Sequence, residues 1–424
     1  MDSKTHQNAP TSQGLSRRQL LVSASVGGLG AALAGSLSTA LAATPRPTWD
    51  RARAMDAVIL DAVNRGRIVG ATVIAAKDGE IVYQRAAGFA DREQRRPMQE
   101  EEVYRLASMT KPIVGVTALA LVDQGRLGLD DPLTRWLPDF RPKLADGREP
   151  LITVRHLLTH TAGLSYGFLE APDGPYHRLG VSDGLDVRGL TLAENLRRIA
   201  SAPLLFEPGT AWHYSVAIDV LGAVIERVTS MTLPEAVEQI VTTPLGIASL
   251  RFVAAPGTVL ATPYGDALPR PEAMGEPFSL PFGPGAIVYS PSRAFDAGAF
   301  ASGGVGMVGT ARDYLRFVEA IRTGGAGIIR PQTMAAMTGN TIGDLPVAAA
   351  GPGFGWGLGV AVLKDPLAAK LPLNAGSWNW AGVYGTNFWV DPVQRLSVVT
   401  LTNTAVAGMS GDFPTALRHA AYPG

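Results

Sequence analysis

The stretch YRLASMTKPIVGVTALALVDQG, residues 104–125, carries a serine at 108, a lysine three residues later at 111 and a proline at 112. Proline lacks a backbone N–H and is tolerated in a helix only in the first turn. Pro112 therefore predicts a helix that begins just before it, with Ser108 at its N-terminus. Residues i and i+3 share a helix face, which brings the Lys111 amine within reach of the Ser108 hydroxyl. A serine hydroxyl is a weak nucleophile until a neighbour takes its proton. Lysine can do this only when burial or nearby positive charge lowers its pKa from about 10.4. The free N–H groups and positive dipole end at a helix start favour both an oxyanion and an uncharged amine.

S-x-x-K alone equally describes a serine cap followed by a solvated lysine, so the rest of the chain has to supply partners. PGTAWHYSVAIDVLG places Tyr214 at the mouth of a helix after a Pro-Gly turn, where a phenol can point into a cleft. NWAGVYGTNFWV places Ala381, Gly382 and Gly385 at the start of a strand, and such small residues let a substrate lie against backbone.

The 424 residues are 46% hydrophobic and 17% charged, enough for a large core. Thirty-seven basic residues balance 37 acidic ones, so no broad field draws in nucleic acid or an anionic membrane, and a small molecule is the expected partner. The absence of cysteine excludes disulfides, thiolate catalysis and cysteine-based metal sites. At the N-terminus, Arg17 and Arg18 precede a weakly apolar run broken by Gly27, Gly28, Gly30 and Gly35, with an A-x-A-like site near Ala42 or Ala43. Residues 1–43 read as a twin-arginine export signal, which implies a periplasmic or secreted protein with no stable membrane anchor after cleavage.

Apolar spacing predicts a helix ending near Gly66 and a hairpin turning at Asp78-Gly79. Helices and loops are expected from 104 to 300, with a short helix over ITVRHLLTHTAGL stopped by Gly163 and long loops over 165–190 and 253–300. Another helix follows in RDYLRFVEAIRTGG. GFGWGLGVAVL then reads as one strand, GVYGTNFWVDP and QRLSVVTLTNT as a hairpin, and FPTALRHAAY as a closing helix. The expected fold is α+β. Residues 44–103 and 301–424 would form an antiparallel sheet domain from both ends of the chain, and 104–300 an inserted helical domain with the Ser108 helix at the interface.

On RLASMTKPIV, LLTHTAGL, RLGVSDG, YSVAIDVLGAVIERVT, SGGVGM, WAGVYG and LTNTAVAGMSG, in that order, the chain resembles the serine β-lactamase and penicillin-binding superfamily, and most closely its EstB-like family VIII carboxylesterases. The resemblance spans nearly everything after the signal. It implies a β-lactamase/DD-peptidase-like fold, Ser108 as acylated nucleophile, Lys111 as its base and Tyr214 as proton shuttle. The oxyanion hole would be the backbone N–H groups of Ser108 and Val383, and no metal or cofactor is implied. Two departures matter. Class C β-lactamases carry Tyr-x-Asn where this chain has Tyr214-Ser215-Val216, and Lys-Thr-Gly where it has Trp380-Ala381-Gly382. The cation that helps hold a lactam carboxylate is thus replaced by an indole, which favours neutral esters and weak or absent lactamase activity, while short acyl chains are what the resemblance implies. The alternatives are a β-lactamase or D-alanyl-D-alanine peptidase with altered motifs, or a catalytically dead penicillin-recognition receptor.

Trp380, Ala381, Gly382, Tyr166 and Phe168 are the candidate substrate contacts, with Trp378 and Tyr176 as further aromatic candidates. GLSYG around Ser165 and GVSDG around Ser182 match G-x-S-x-G but lack the strand-turn-helix setting that this motif needs. His156 and His160 have the i, i+4 spacing of a metal pair. Neither the glutamate of H-E-x-x-H nor a third ligand accompanies them, so hydrogen bonding within LLTHTAGL is the expected role.

Overall fold

The computed structural model describes residues 49–186 and 189–423; residues 1–43, the expected export signal, lie outside the described residues. An eight-stranded antiparallel sheet is the frame. Its strands are β1 (Gly70–Lys77), β2 (Glu80–Asp91), β3 (Arg96–Pro97), β4 (Phe354–Trp356), β5 (Ala361–Leu363), β6 (Trp378–Gly382), β7 (Thr386–Asp391) and β8 (Leu396–Thr402), arranged β4-β5-β6-β7-β8-β1-β2-β3. The first two strands turn at Asp78 and Gly79, both with positive φ, as a tight hairpin requires. The middle of the sheet is the pairing of β1 with β8, in register from Ala71 opposite Thr402 to Lys77 opposite Leu396.

Both faces of this sheet are covered, so β1 and β8 are buried almost throughout rather than alternating. On one face lie α1 (Ala52–Asn64) and the C-terminal helix Asp412–Ala420, whose Met55, Ile59, Phe413 and Leu417 pack with Trp389 and Val398. On the other lie α2 (Thr110–Asp123), α3 (Ala217–Thr229) and α4 (Ala311–Arg322); the C-terminal helix is α5. Every residue of α2 from Thr110 to Leu121 is buried, which is why its sequence is apolar all round instead of striped.

Three expectations need correction. The helix in ITVRHLLTHTAGL spans only Val154–Leu158, because His160 turns left-handed (φ 54°) and its ring is tied at 3.3 Å to Ser215. Residues 253–300 hold a hairpin of two five-residue strands, Phe278–Phe282 and Gly285–Tyr289, and 165–190 hold the helix Pro175–Leu179. GFGWGLGVAVL is two short strands, and WNWAG is a strand of its own.

Strand β6 matters most for function. It pairs along its whole length with β7, but β5 reaches it only at Asn379 and Trp378. From Trp380 onward that edge has no strand partner among the described residues.

Candidate active site

The turn bearing Ser108 is clamped from four directions. Leu106 N–H donates to Met307 O (2.9 Å), Thr386 Oγ1 donates to Leu106 O (2.9 Å), Met307 N–H donates to Thr110 Oγ1 (3.1 Å) and Tyr314 OH donates to Met109 O (2.9 Å). Ala107 sits left-handed at φ 46°, a conformation that costs an L-residue about 1 kcal/mol and that the clamp enforces. The α-helix itself begins at Thr110, two residues later than the sequence reading placed Ser108's helix. Ala107–Met109 form a 3₁₀ turn ahead of it, with Pro112 in the first α-helical turn. Across this junction Ser108 and Lys111, three residues apart, still share one face, and the lysine amine meets the serine hydroxyl.

Lys111 has no solvent exposure, and its Nζ lies 3.1 Å from Ser108 Oγ, 2.9 Å from Tyr166 OH and 2.9 Å from Gly304 O. Burial pulls its pKa down to about 7, outweighing the pull of Asp219 and Asp183 in the other direction. At neutral pH much of the amine is therefore free to take a proton. Asp219, in the first turn of α3, is a buried carboxyl whose pKa burial raises; its Oδ1 accepts from Ser302 Oγ at 2.6 Å.

Tyr214 hydrogen-bonds to Ser108, and its ring covers Lys111 Nζ at 4.5 Å from the centroid. Burial raises its pKa, so the phenol keeps its proton. Trp380 Nε1 donates to Tyr214 OH at 3.2 Å while its ring stands edge-on to Trp356 at 4.6 Å. The indole in the place of a cation thus holds the tyrosine as well as walling the site.

Gly382 ends β6 against the serine turn. A Cβ there would lie 2.2 Å from Leu106 O and 2.5 Å from Thr386 Oγ1, so only glycine lets the strand approach this closely. Val383 follows it and lines the same cavity as Ser108, with its own carbonyl accepting from Tyr289 OH at 3.0 Å.

That cavity encloses about 610 Å³ and is walled chiefly by apolar groups, including Phe168, Trp212, Phe282, Phe354 and Trp380. Of the expected substrate contacts, Phe168, Trp380 and Ala381 line it. Tyr166 and Gly382 do not: Tyr166 is buried beneath the floor, stacked on Phe168 at 4.6 Å, with its hydroxyl on Lys111, and Gly382 is spent on the serine turn. Tyr176 binds the Ser165 N–H through its hydroxyl, and Trp378 packs on Phe388.

Ser165 and Ser182 are consumed locally. Ser165 Oγ donates to Tyr166 O (3.2 Å) and lies 3.3 Å from His213 Nε2, while Ser182 Oγ donates to Asp186. His156 caps its helix by accepting from Thr153 N–H through Nδ1. His160, off that helix, cannot share a ligand with it on one helical face. No three His, Asp or Glu side chains that could hold a metal ion converge among the described residues.

Sequence reasoning missed Asp219, Gly304, Trp212 and Arg418. Asp219 left a signal, an acid inside the otherwise apolar run SVAIDVLGAVI. The cavity-lining loops left none, because they meet only through the fold.

A family model described as Beta-lactamase matches residues 55–422. The chain is 52% identical over 371 residues to Esterase EstB of Burkholderia gladioli, covering 87% of this chain and 94% of that protein. A lovastatin esterase of Penicillium rubens is 31% identical over 312 residues, covering 70% of this chain and 74% of the relative. Among solved structures, EstCE1, a hydrolase with promiscuous acyltransferase activity, superposes with a TM-score of 0.84 at 46% identity, over 88% of this chain and 98% of that one.

Proposed function

This chain belongs to the Beta-lactamase family, on its family VIII esterase branch, and from that premise we propose that it hydrolyses carboxylic esters through an acyl-enzyme on Ser108. The observation that carries the reading is a fully buried lysine within 3.1 Å of a serine hydroxyl that lines a mostly apolar cavity, where burial lowers the pKa of the amine. Neutral Lys111 takes the Ser108 proton as Oγ attacks the ester carbonyl. The N–H groups of Ser108 and Val383 hold the oxyanion. As the C–O bond breaks, the proton on Lys111 passes through Tyr214 to the departing alkoxide, and the alcohol leaves. Water then attacks the acyl-enzyme with the same base accepting its proton, releasing the acid and restoring Ser108.

Neutral acyl groups suit the wall where Trp380 occupies the position of a cation, and short chains are proposed from the kinship with esterases. Turnover of p-nitrophenyl butyrate and of a chromogenic cephalosporin, measured side by side, separates this reading from a lactamase. The ester is expected to have the higher kcat/KM by at least about a hundredfold, since a lactam carboxylate beside an indole stays unpaired. A cephalosporin rate above the ester rate would overturn the assignment.

We further propose export through the twin-arginine route with removal of the signal after Ala42 or Ala43. What supports it is the Arg17-Arg18 pair ahead of a weakly apolar run. N-terminal sequencing of protein from the periplasm or medium should begin at residue 43 or 44, and the double variant Arg17→Lys, Arg18→Lys should accumulate uncleaved in the cytoplasm. Intracellular wild-type protein retaining its first residues would contradict export. Among the described residues no helix is long and apolar enough to cross a membrane.

A further inference from the structure

The cavity does not stop at Trp380. Alternate residues of a strand face opposite sides, so Trp378 and Trp380 point toward α2 while Asn379 and Ala381 point toward α5. Asn379 and Ala381 nevertheless line the same cavity as Ser108, together with Leu371, Thr415 and Arg418. Because β5 leaves the edge of β6 free beyond Asn379, the cavity wraps around that edge and has a second arm on the other face of the sheet.

This second arm has a cation at its wall. Gly411, Thr415 and Arg418 fall at i, i+4 and i+7, one stripe of α5 turned to the cavity. Among the described residues the Arg418 guanidinium has neither an ion-pair partner nor a hydrogen-bond acceptor; its Nε is shut off from solvent, and the residue as a whole is half-buried. Its contact is with an aromatic face, Cζ standing 5.6 Å from the Trp389 ring centroid, and Trp389 is the cross-strand neighbour of Asn379. Desolvation holds its pKa down to about 10, with the neutral phenol of Tyr422 as its other influence. Asp391, reached through Tyr422, is already occupied by Tyr422 OH, Asn374 and the backbone N–H groups of Val393 and Gln394. The arm also reaches Gly411 at the N-terminus of α5, where the exposed Asp412 in the first turn offsets the helix dipole, so the positive charge in this arm is that of Arg418.

A guanidinium whose Nε is shut off from solvent and unpaired, beside an aromatic face, gains from an anion that reaches it through the cavity. We propose that the second arm is a carboxylate subsite: the preferred substrates are esters that carry a free carboxylate remote from the scissile bond, bound by Arg418 across the β6 edge from Ser108. The inference rests on the esterase reading and refines its substrate class. The ester end meets Trp380 and stays neutral, and the far end meets the arginine.

The test compares free acids with their methyl-capped counterparts. One series is p-nitrophenyl hydrogen adipate and suberate against the corresponding p-nitrophenyl methyl diesters. The other is carboxyalkyl butyrates against their methyl esters, which covers the alcohol side. In the series whose tail reaches Arg418, the free acid is expected to exceed the capped ester in kcat/KM by about tenfold or more, as a charge-assisted bidentate pair would give. In Arg418→Met that ratio should fall to about one, and Arg418→Lys should keep part of it. The ratio is internal to each variant, and the wild-type ratio decides alone if a variant does not fold. Equal or inverted wild-type ratios in both series, or a ratio that survives Arg418→Met, overturn the subsite while leaving the esterase intact. No turnover of any member, p-nitrophenyl butyrate included, would overturn the esterase reading itself and the subsite with it.

Discussion

Lys111→Met is expected to lower kcat/KM for p-nitrophenyl butyrate by about ten-thousandfold, the scale on which removing a general base from a serine hydrolase acts. Methionine keeps the length and apolar body of the lysine, so the packing of α2 survives and the loss reports chemistry. The amine's three neighbours, Ser108 Oγ, Tyr166 OH and Gly304 O, hold it on the serine, and burial brings its pKa to about 7. The pH profile carries the sign. A base must be unprotonated, so wild-type kcat/KM should be low in acid, rise through about pH 7 and level off above it. The residual rate of Lys111→Met should lack that rise. A variant with near wild-type turnover while Ser108→Ala is dead would show that another group takes the proton, and His213 and Tyr214 on the cavity wall would be next to test.

Gly382→Ala adds one methyl group and should cost about a hundredfold in kcat. Its Cβ would fall 2.2 Å from Leu106 O and 2.5 Å from Thr386 Oγ1. Neither atom can yield cheaply, because Leu106 O is backbone in a turn clamped by Met307, and Thr386 Oγ1 is the clamp that holds Leu106 O. The end of β6 has to move away from the serine turn, taking the Val383 N–H with it, and loss of one oxyanion donor costs roughly a hundred- to a thousandfold. Overpacking of this kind destabilises by about 1–3 kcal/mol. The drop in kcat should therefore exceed anything partial unfolding explains, checked by comparing burst amplitude with steady-state rate on protein that melts cooperatively. Wild-type kcat in this variant would mean that the strand end does not build the oxyanion site.

Much of this site was legible in the chain because its core is local. Ser108, Lys111 and Pro112 fall within one helical turn, and covalent geometry alone brings them together. Tyr214 and the glycine-bearing β6 were legible through the motifs that carry the family resemblance. Tyr166 was only one candidate for the pocket wall, since an aromatic in a loop carries no mark of which side it faces. In the fold its ring lies under the floor and its hydroxyl meets the lysine. Trp380 was read by what it replaces; its hydrogen bond to Tyr214 needed the two rings in space. Arg418, in the last turn of the terminal helix, drew no notice in the sequence, because only the missing strand pairing beyond Asn379 opens a cavity to it. Lengths of short strands were also hidden: WNWAG is too brief and too aromatic to declare its ends.

The pairing of β1 with β8 has a consequence for when the protein becomes what it is. Val69 N–H donates to Thr404 Oγ1 across 335 residues, and the strands beside that bond are the centre of the sheet. Closing so long a loop adds little to the free energy that must be overcome, since the penalty grows only with the logarithm of length, but it makes the step slow and late. A nascent chain has its serine and lysine within the first third of its synthesis. It has the strand that would hold an oxyanion, and the strand that anchors the whole sheet, only near the end. Hydrolytic competence therefore arrives with the last few dozen residues, and a chain cut short before β8 holds the residues that clamp the serine turn but lacks the strand that joins β1 to β7 and completes the sheet behind them.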